Sequence, residues 1–123
     1  MKKNKILLIE DDAILRDTLM EFLKKEDFEA MAASDGEMGV KVAKKELPDL
    51  ILLDIVLPRK NGYEVLAEIK KDEKIKDIPV VILTNLAGLD NIEKALELGA
   101  TNYLVKGDYK LQEIVEKIRS IMS

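Results

Sequence analysis

Leu50-Ile51-Leu52-Leu53-Asp54 is the strongest indication of the fold, because four aliphatic residues in a row end in a carboxylate. A run this apolar is typical of a parallel strand whose two faces are both buried. The same arrangement occurs near the start of the chain, where Lys5-Ile6-Leu7-Leu8-Ile9 leads directly into Glu10-Asp11-Asp12. Two buried strands are therefore predicted to deliver carboxylates to the same kind of sheet edge.

The rest of the chain alternates between strand-like and helix-like segments joined by short turns. Because βα units repeat in this way, we predict one α/β domain over residues 1–123, with helices on both faces of an open parallel sheet. We expect a flavodoxin-like, doubly wound three-layer sandwich with strand order 2-1-3-4-5, in which ligands bind beyond the carboxyl ends of strands one and three. Strands are predicted near 5–9, 28–33, 50–53, 79–84 and 101–105, and helices near 13–26, 36–46, 62–71, 88–98 and 110–121.

Composition excludes several classes of site. The chain has no cysteine and no histidine, which rules out disulfides, thiolate or imidazole metal ligands, and Ser/His or Cys/His catalysis. The net charge of −4 gives no general affinity for nucleic acid. The apolar runs are too short to cross a bilayer, and residues 1–5 lead into a strand rather than a signal-peptide core. We therefore expect a cytoplasmic protein that binds neither nucleic acid nor membrane directly.

The predicted topology brings polar residues from four strand ends to one crevice. Glu10 and Asp11 would lie beside Asp54, while Thr84 and Lys106 end strands four and five. Neighbouring carboxylates repel one another unless a cation binds, and ligands that are all oxygen favour Mg²⁺. A carboxylate can also act as a nucleophile and form an aspartyl phosphate, with charge supplied by Mg²⁺ and Lys106 and a hydrogen bond from Thr84.

We predict that Mg²⁺ binds Asp11, Asp54 and the backbone carbonyl of Val56, with Glu10 acting through water. The other common use of an acid at a strand end is to cap the next helix, because a carboxylate accepts hydrogen bonds from free backbone N–H groups. We prefer that interpretation for Asp12.

A series of short motifs runs in order along essentially the whole chain. They are Ile9-Glu10-Asp11-Asp12 with Arg16, Asp35-Gly36, Pro48-Asp49-Leu50-Ile51-Leu52-Leu53-Asp54, Pro58, Gly62, Pro79-Val80-Val81-Ile82-Leu83-Thr84, Gly99-Ala100 and Tyr103-Leu104-Val105-Lys106. In this order and spacing they resemble the receiver domains of two-component response regulators, such as the chemotaxis regulator. The resemblance implies that Asp54 is the phosphoacceptor and takes a phosphoryl group from a sensor histidine kinase or a histidine phosphotransfer protein. It also implies a switch in which Thr84 moves toward the phosphoryl group and Tyr103 turns inward.

The resemblance has consequences for partners and assembly. It implies that the surface of helix four, strand five and helix five binds an output protein, and that the chain promotes its own phosphorylation and dephosphorylation without being a separate enzyme. We expect a monomer, with a phosphorylation-dependent dimer as the alternative. Because the sequence ends with the fifth predicted helix, we expect no effector domain within it, so that it is either a stand-alone receiver or part of a larger protein.

Three features depart from the family pattern. Asn85 follows Thr84 where the family usually has a very small residue, and both Val56 and Leu86 are apolar. Gly107 stands where a proline, typically in the cis form, normally follows the lysine. We predict that the peptide before Gly107 is trans, because a non-proline cis bond costs about 3 kcal/mol, and that Lys106 still reaches Asp54.

Other functions remain alternatives. A receiver-like adaptor that binds partners without phosphorylation would not need the full polar set. A phosphohydrolase of the haloacid dehalogenase type usually has a second aspartate two residues after the nucleophile, where this chain has Val56. A flavin binder would want hydroxyl-rich and glycine-rich phosphate loops where this chain places anions. Tyr103 is either a switch residue or a packed ring, and Ile14 is either helix packing or an exposed docking residue.

Overall fold

Five parallel strands form one sheet at the centre of the computed structural model, in the order β2-β1-β3-β4-β5. The structure describes residues 3–123, so Met1 and Lys2 of the predicted domain lie outside the described residues. The expected flavodoxin-like α/β fold is confirmed. The strands are β1 (Lys5–Ile9), β2 (Glu29–Ala33), β3 (Leu50–Leu53), β4 (Val80–Thr84) and β5 (Asn102–Val105). The helices are α1 (Ala13–Lys25), α2 (Gly36–Glu46), α3 (Gly62–Lys71), α4 (Leu89–Glu97) and α5 (Leu111–Met122), with a 3₁₀ turn at Lys106–Asp108.

The central strands are buried on both faces, as their aliphatic sequences predict. Successive side chains of a strand point to opposite faces, so each strand contributes to two cores. Leu7 and Ile9 of β1 pack on the side of α2 and α3, while Ile6 and Leu8 pack on the side of α1 and α5. All four side chains of β3 are fully buried. This two-sided burial holds the carboxyl ends of β1 and β3 at one fixed edge.

Close backbone contacts set the loop that follows β3. The N–H of Gly62 donates to the carbonyl of Ile55 at 2.8 Å. A Cβ at Gly62 would clash with the backbone of Asp54 and Ile55, and one at Gly36 would clash with the carbonyl of Lys60. These two positions therefore require glycine for close approach, and they fix α3 and the start of α2 against the loop that carries the predicted site.

The helix ends follow the expected chemistry. The Asp12 carboxylate accepts hydrogen bonds from the N–H groups of Ile14 and Leu15 at 3.0 and 3.2 Å, so the prediction that it caps α1 is confirmed. Gly99, at φ +105°, adopts the left-handed conformation after α4. The 3₁₀ turn at Lys106–Asp108 was not predicted.

Across residues 3–123, no helix combines the length and the apolar character that a membrane span requires.

Candidate functional site

The register of β1 and β3 places two acidic residues side by side. Ile9 pairs with Leu53 in the parallel ladder, and the N–H of Asp54 donates to the carbonyl of Ile9 at 3.0 Å. Glu10 and Asp54 are the next residues of the two strands, so both carboxylates leave the sheet at its carboxyl edge. Both residues are buried.

The other half of the site comes from β4 and β5. Thr84 pairs with Val105, which places Lys106 directly beyond the end of β5. A pocket of about 240 Å³ opens at this edge of the sheet. It is lined by Glu10, Asp11, Asp12, Asp54, Val56, Asn85 and Lys106.

Lys106 bridges the two buried carboxylates. Its Nζ lies 2.8 Å from Glu10 Oε1 and donates to Asp54 Oδ2 at 2.9 Å. The side chains are 14% exposed for Lys106, 2% for Glu10 and 6% for Asp54. The Lys106–Gly107 peptide is trans, as are the other peptide bonds among residues 3–123. Both parts of the prediction about Gly107 are confirmed, because β5 rather than the following peptide bond places the lysine.

One ammonium does not balance this environment. Burial raises the pKa of Glu10, although the nearby Lys106 ammonium and a hydrogen bond from the Asp12 N–H oppose the shift, and the charge of Asp54 adds to it. Burial tends to lower the pKa of Lys106, but its close contact with Glu10 and its hydrogen bond to Asp54 outweigh that effect and raise it. Lys106 is therefore firmly cationic, while two carboxylates share a single positive charge. A second cation at this edge is electrostatically favourable.

The donor atoms fit Mg²⁺. Glu10 Oε1 is buried and, within the described residues, receives no well-aligned hydrogen bond despite its short contact with Lys106. Asp11 is exposed at the mouth of the pocket. No three acidic side chains among residues 3–123 stand close enough to form a metal-binding group by themselves, so the predicted ligands Asp11 and Asp54 would need the Val56 carbonyl and water to complete an octahedral shell.

Thr84 and Tyr103 meet at one residue of the β4–α4 loop. Thr84 is fully buried, does not line the pocket, and its Oγ1 accepts a hydrogen bond from the Leu86 N–H at 3.4 Å. The half-buried ring of Tyr103 lies inward, and its hydroxyl donates to the Leu86 carbonyl at 2.8 Å. Burial raises the pKa of Tyr103, which keeps this hydroxyl a donor. The two predicted switch residues are thus linked through Leu86.

Two residues at the site, Asn85 and Arg16, enter the sequence analysis only through the family pattern and are given no part in the site there. Asn85 lines the pocket, although its sequence position was noted only as a departure from the family pattern. Arg16 donates from Nη1 to the carbonyls of Glu10 at 3.1 Å and Asp11 at 3.4 Å, and so braces the turn between β1 and α1. Its spacing, four residues after a helix-capping acid, was the available signal.

The Ile14 side chain is 81% exposed, which agrees with the exposed alternative rather than with helix packing. Its docking role stays a prediction.

The sequence is similar to a known protein family and to several regulatory proteins. Residues 6–119 match the response regulator receiver domain family. The transcriptional regulatory protein CiaR of Streptococcus pneumoniae is 43% identical over 119 residues, which cover 96% of this chain and 51% of that protein. A probable transcriptional regulator, ycf27, of Porphyridium aerugineum is 36% identical over 122 residues, covering 99% of this chain and 49% of that protein. The chain thus spans about half the length of the curated relatives it matches.

Solved structures agree with the fold. The crystal structure of the BeF₃-activated N-terminal receiver domain of Klebsiella pneumoniae RstA superposes with a TM-score of 0.89 at 30% identity, covering 97% of this chain and 98% of that one. The chemotaxis protein CheY4 of Vibrio cholerae superposes with a TM-score of 0.91 at 22% identity, covering 98% and 99% of the two chains. The second similarity shows the fold alone.

Proposed function

The chain belongs to the response regulator receiver domain family, and from this premise we propose that it is a signalling switch whose phosphoacceptor is Asp54. Receivers of two-component systems are generally switched by phosphorylation and depend on Mg²⁺. The proposal assigns the phosphoryl donor role to the phosphohistidine of a sensor histidine kinase or a histidine phosphotransfer protein, acting in the cytoplasm.

One observation carries the proposal: the Asp54 carboxylate is buried at the base of the pocket and is bound to Lys106. Its Oδ2 accepts from Lys106 Nζ at 2.9 Å, and its Oδ1 accepts from the Val56 N–H at 3.3 Å. Burying a carboxylate at a strand end, beside a second carboxylate and a lysine, costs desolvation free energy that the ion pair need not repay. Stability alone therefore does not explain this arrangement. A module that binds partners without phosphorylation would have no need of this arrangement.

The chemistry asks the protein mainly for alignment and charge. An Asp54 oxygen attacks the phosphorus, the phosphorus–nitrogen bond of the phosphohistidine breaks, and its electron pair stays on the imidazole nitrogen. Lys106, already beside Asp54, stabilises negative charge on the phosphoryl oxygens, and Thr84 would donate a hydrogen bond to one of them. Mg²⁺, held by Asp11, Asp54 and the Val56 carbonyl with Glu10 acting through water, would add positive charge at the same oxygens.

Removal of the phosphoryl group uses the same residues. A water molecule attacks the phosphorus, and the Asp54 carboxylate leaves with the electron pair of the oxygen–phosphorus bond. Inorganic phosphate is released and carries the oxygen and the protons of the attacking water. The chain would thus promote both its own phosphorylation and its own dephosphorylation and would not be a separate enzyme.

The proposed output is a change of surface. Thr84 and Tyr103 both contact Leu86, so a shift of Thr84 toward a phosphoryl group would alter the loop that begins α4. We place the output surface on α4, β5 and α5, where it would bind an output partner. Since CiaR and ycf27 are named transcriptional regulators, control of transcription is the proposed class of output for the full-length protein.

Phosphorylation by acetyl phosphate tests the assignment of Asp54. Intact-protein mass spectrometry should show Mg²⁺-dependent phosphorylation of the wild type and of the control Asp12→Asn, since Asn caps a helix as well as Asp does. Asp54→Asn should stay unmodified. Phosphorylation that survives in Asp54→Asn without a new acceptor, or that ignores chelation of Mg²⁺, would refute the proposal.

Amide hydrogen exchange with and without beryllofluoride, a phosphoryl mimic, tests the output surface. The switch should alter exchange across residues 85–110. Changes confined to the loop after Asp54 would favour the adaptor alternative.

A further inference from the structure

The loop between β4 and α4, residues 85–88, is held by side chains from two separate elements. Tyr103 of β5 donates to the Leu86 carbonyl at 2.8 Å, and the Asn91 amide nitrogen donates to the Ala87 carbonyl at 3.0 Å. The amide oxygen of Asn91 in turn accepts from the Tyr63 hydroxyl of α3 at 2.8 Å. Both ends of the Asn91 amide therefore have a partner, which defines its orientation.

Tyr63 is attached firmly to the segment that follows Asp54. It comes directly after Gly62, which packs on the backbone of Asp54 and Ile55 and leaves no room for a Cβ. The Tyr63 ring packs against the core, and Lys94 Nζ lies 4.2 Å from its centroid. Burial raises the pKa of Tyr63, so its hydroxyl remains a donor. A movement of the segment after Asp54 therefore also moves the Tyr63 hydroxyl.

Helix α4 has few other contacts that determine its position. Ala95 is its one buried residue, and Leu89 and Leu96 are 68% and 48% exposed. Its N-cap is Gly88, which supplies no side-chain hydrogen bond. A helix held so loosely is sensitive to each part-buried hydrogen bond at its first turn.

We propose that Tyr63 and Asn91 are positioning residues that connect the segment after Asp54 to helix α4, by a route separate from Thr84 and Tyr103. The inference rests on the proposed phosphorylation switch. The Tyr63–Asn91 pair holds the Ala87 carbonyl while Tyr103 holds the adjacent Leu86 carbonyl, so the two routes stabilise one arrangement of the loop. Loss of either route shifts the loop population away from that arrangement. It therefore weakens the binding of any ligand of Asp54 that favours that arrangement.

Tyr63→Phe is the sharpest test, because it removes the hydroxyl and keeps the ring. Peptides spanning residues 86–92 should exchange about 5-fold faster by mass spectrometry, the factor expected for one lost part-buried hydrogen bond. Beryllofluoride with Mg²⁺, titrated by calorimetry, should bind about 3- to 5-fold more weakly. Tyr109→Phe is the matched control, since within residues 3–123 the Tyr109 hydroxyl makes no hydrogen bond; both of its values should equal those of the wild type.

The outcomes separate this inference from the proposed function. Unchanged exchange in Tyr63→Phe overturns the positioning role, and faster exchange with unchanged beryllofluoride affinity overturns the connection to Asp54. If the wild type itself fails to bind beryllofluoride, the proposed function fails, while the exchange data still judge the role of Tyr63 in the loop. Asn91→Ala provides a second variant: it should reproduce both effects, and combining it with Tyr63→Phe should add little, because the two residues act through one contact.

Discussion

Lys106→Met is the substitution whose consequence the structure defines most sharply. It removes the ammonium that lies 2.8 Å from Glu10 and 2.9 Å from Asp54 and keeps most of the aliphatic stem. The carboxylates that remain have side chains only 2% and 6% exposed. The variant therefore leaves two neighbouring acids buried without their shared cation.

The expected cost follows from this burial. Removing one partner of a buried ion pair destabilises a protein by about 3–5 kcal/mol. We expect a value near the lower end, about 3 kcal/mol, because one carboxyl can take up a proton and so limit the repulsion. With a urea dependence of about 2 kcal/mol per M, the unfolding midpoint should fall by about 1.5 M at an unchanged slope.

Urea unfolding followed by circular dichroism, in buffer with EDTA, measures the change. Lys60→Met is the matched control: Lys60 pairs with Glu68, but their side chains are 30% and 37% exposed, so its loss should matter far less. Adding Mg²⁺ should restore part of the stability of Lys106→Met, since a bound cation replaces the missing charge. A midpoint shift no larger than that of the control would refute the reasoning.

Three further predictions concern the glycines, the pH dependence and the phosphoryl lifetime. Gly62→Ala should lower the free energy of unfolding by about 2 kcal/mol or more, because its Cβ would clash with the backbone of Asp54 and Ile55, whereas Gly107→Ala, with no atom within 4 Å of its Cβ, should show no such loss in the same urea titration. Burial raises the folded-state pKa of Glu10 above 4.5, so the stability linked to its protonated form is present below pH 4.5 and is lost as the pH rises through the folded pKa. Between pH 4.5 and neutrality, the free energy of unfolding should therefore fall less in Glu10→Gln than in the wild type. If it falls equally in both proteins, burial of Glu10 does not cause the pH dependence. Val56, which is 60% exposed in the pocket, and the half-buried Leu86 offer no polar group to align water. Val56→Asn or Leu86→Glu should therefore speed loss of the phosphoryl group after donor removal. If both variants lose it at the rate of the wild type, these side chains do not control the access of water.

The strands and the acidic edge could be predicted because their signals are local. The run Leu50–Leu53 is apolar without interruption, which is the pattern of a strand covered on both faces. Glu10, Asp11 and Asp54 follow such runs, and parallel topology brings residues that end neighbouring strands together. The cap at Asp12 was predictable for the same reason, since its partners lie two and three residues away.

Other parts of the site could not be predicted because they depend on side-chain directions. The fully buried hydroxyl of Thr84 lies outside the pocket lining, while the exposed Asn85 lies within it, a difference that strand assignment does not resolve. The cation that relieves the repulsion between Glu10 and Asp54 in the structure is Lys106, which reaches both carboxylates at once. That geometry follows from the registers of three strands and from one long, flexible side chain.

The sequence alone predicts the alternation of strands and helices, the acids that follow β1 and β3, and the absence of any histidine or cysteine chemistry. These properties are written in periodicity, in composition and in neighbours a few residues apart. The tertiary structure was needed to show that Lys106 bridges the residues that follow two other strands, and that Tyr63 and Asn91, 28 positions apart in the chain, form a hydrogen bond. Periodicity reports which side of an element is buried, whereas a hydrogen bond between distant residues depends on the register and rotamers that packing selects.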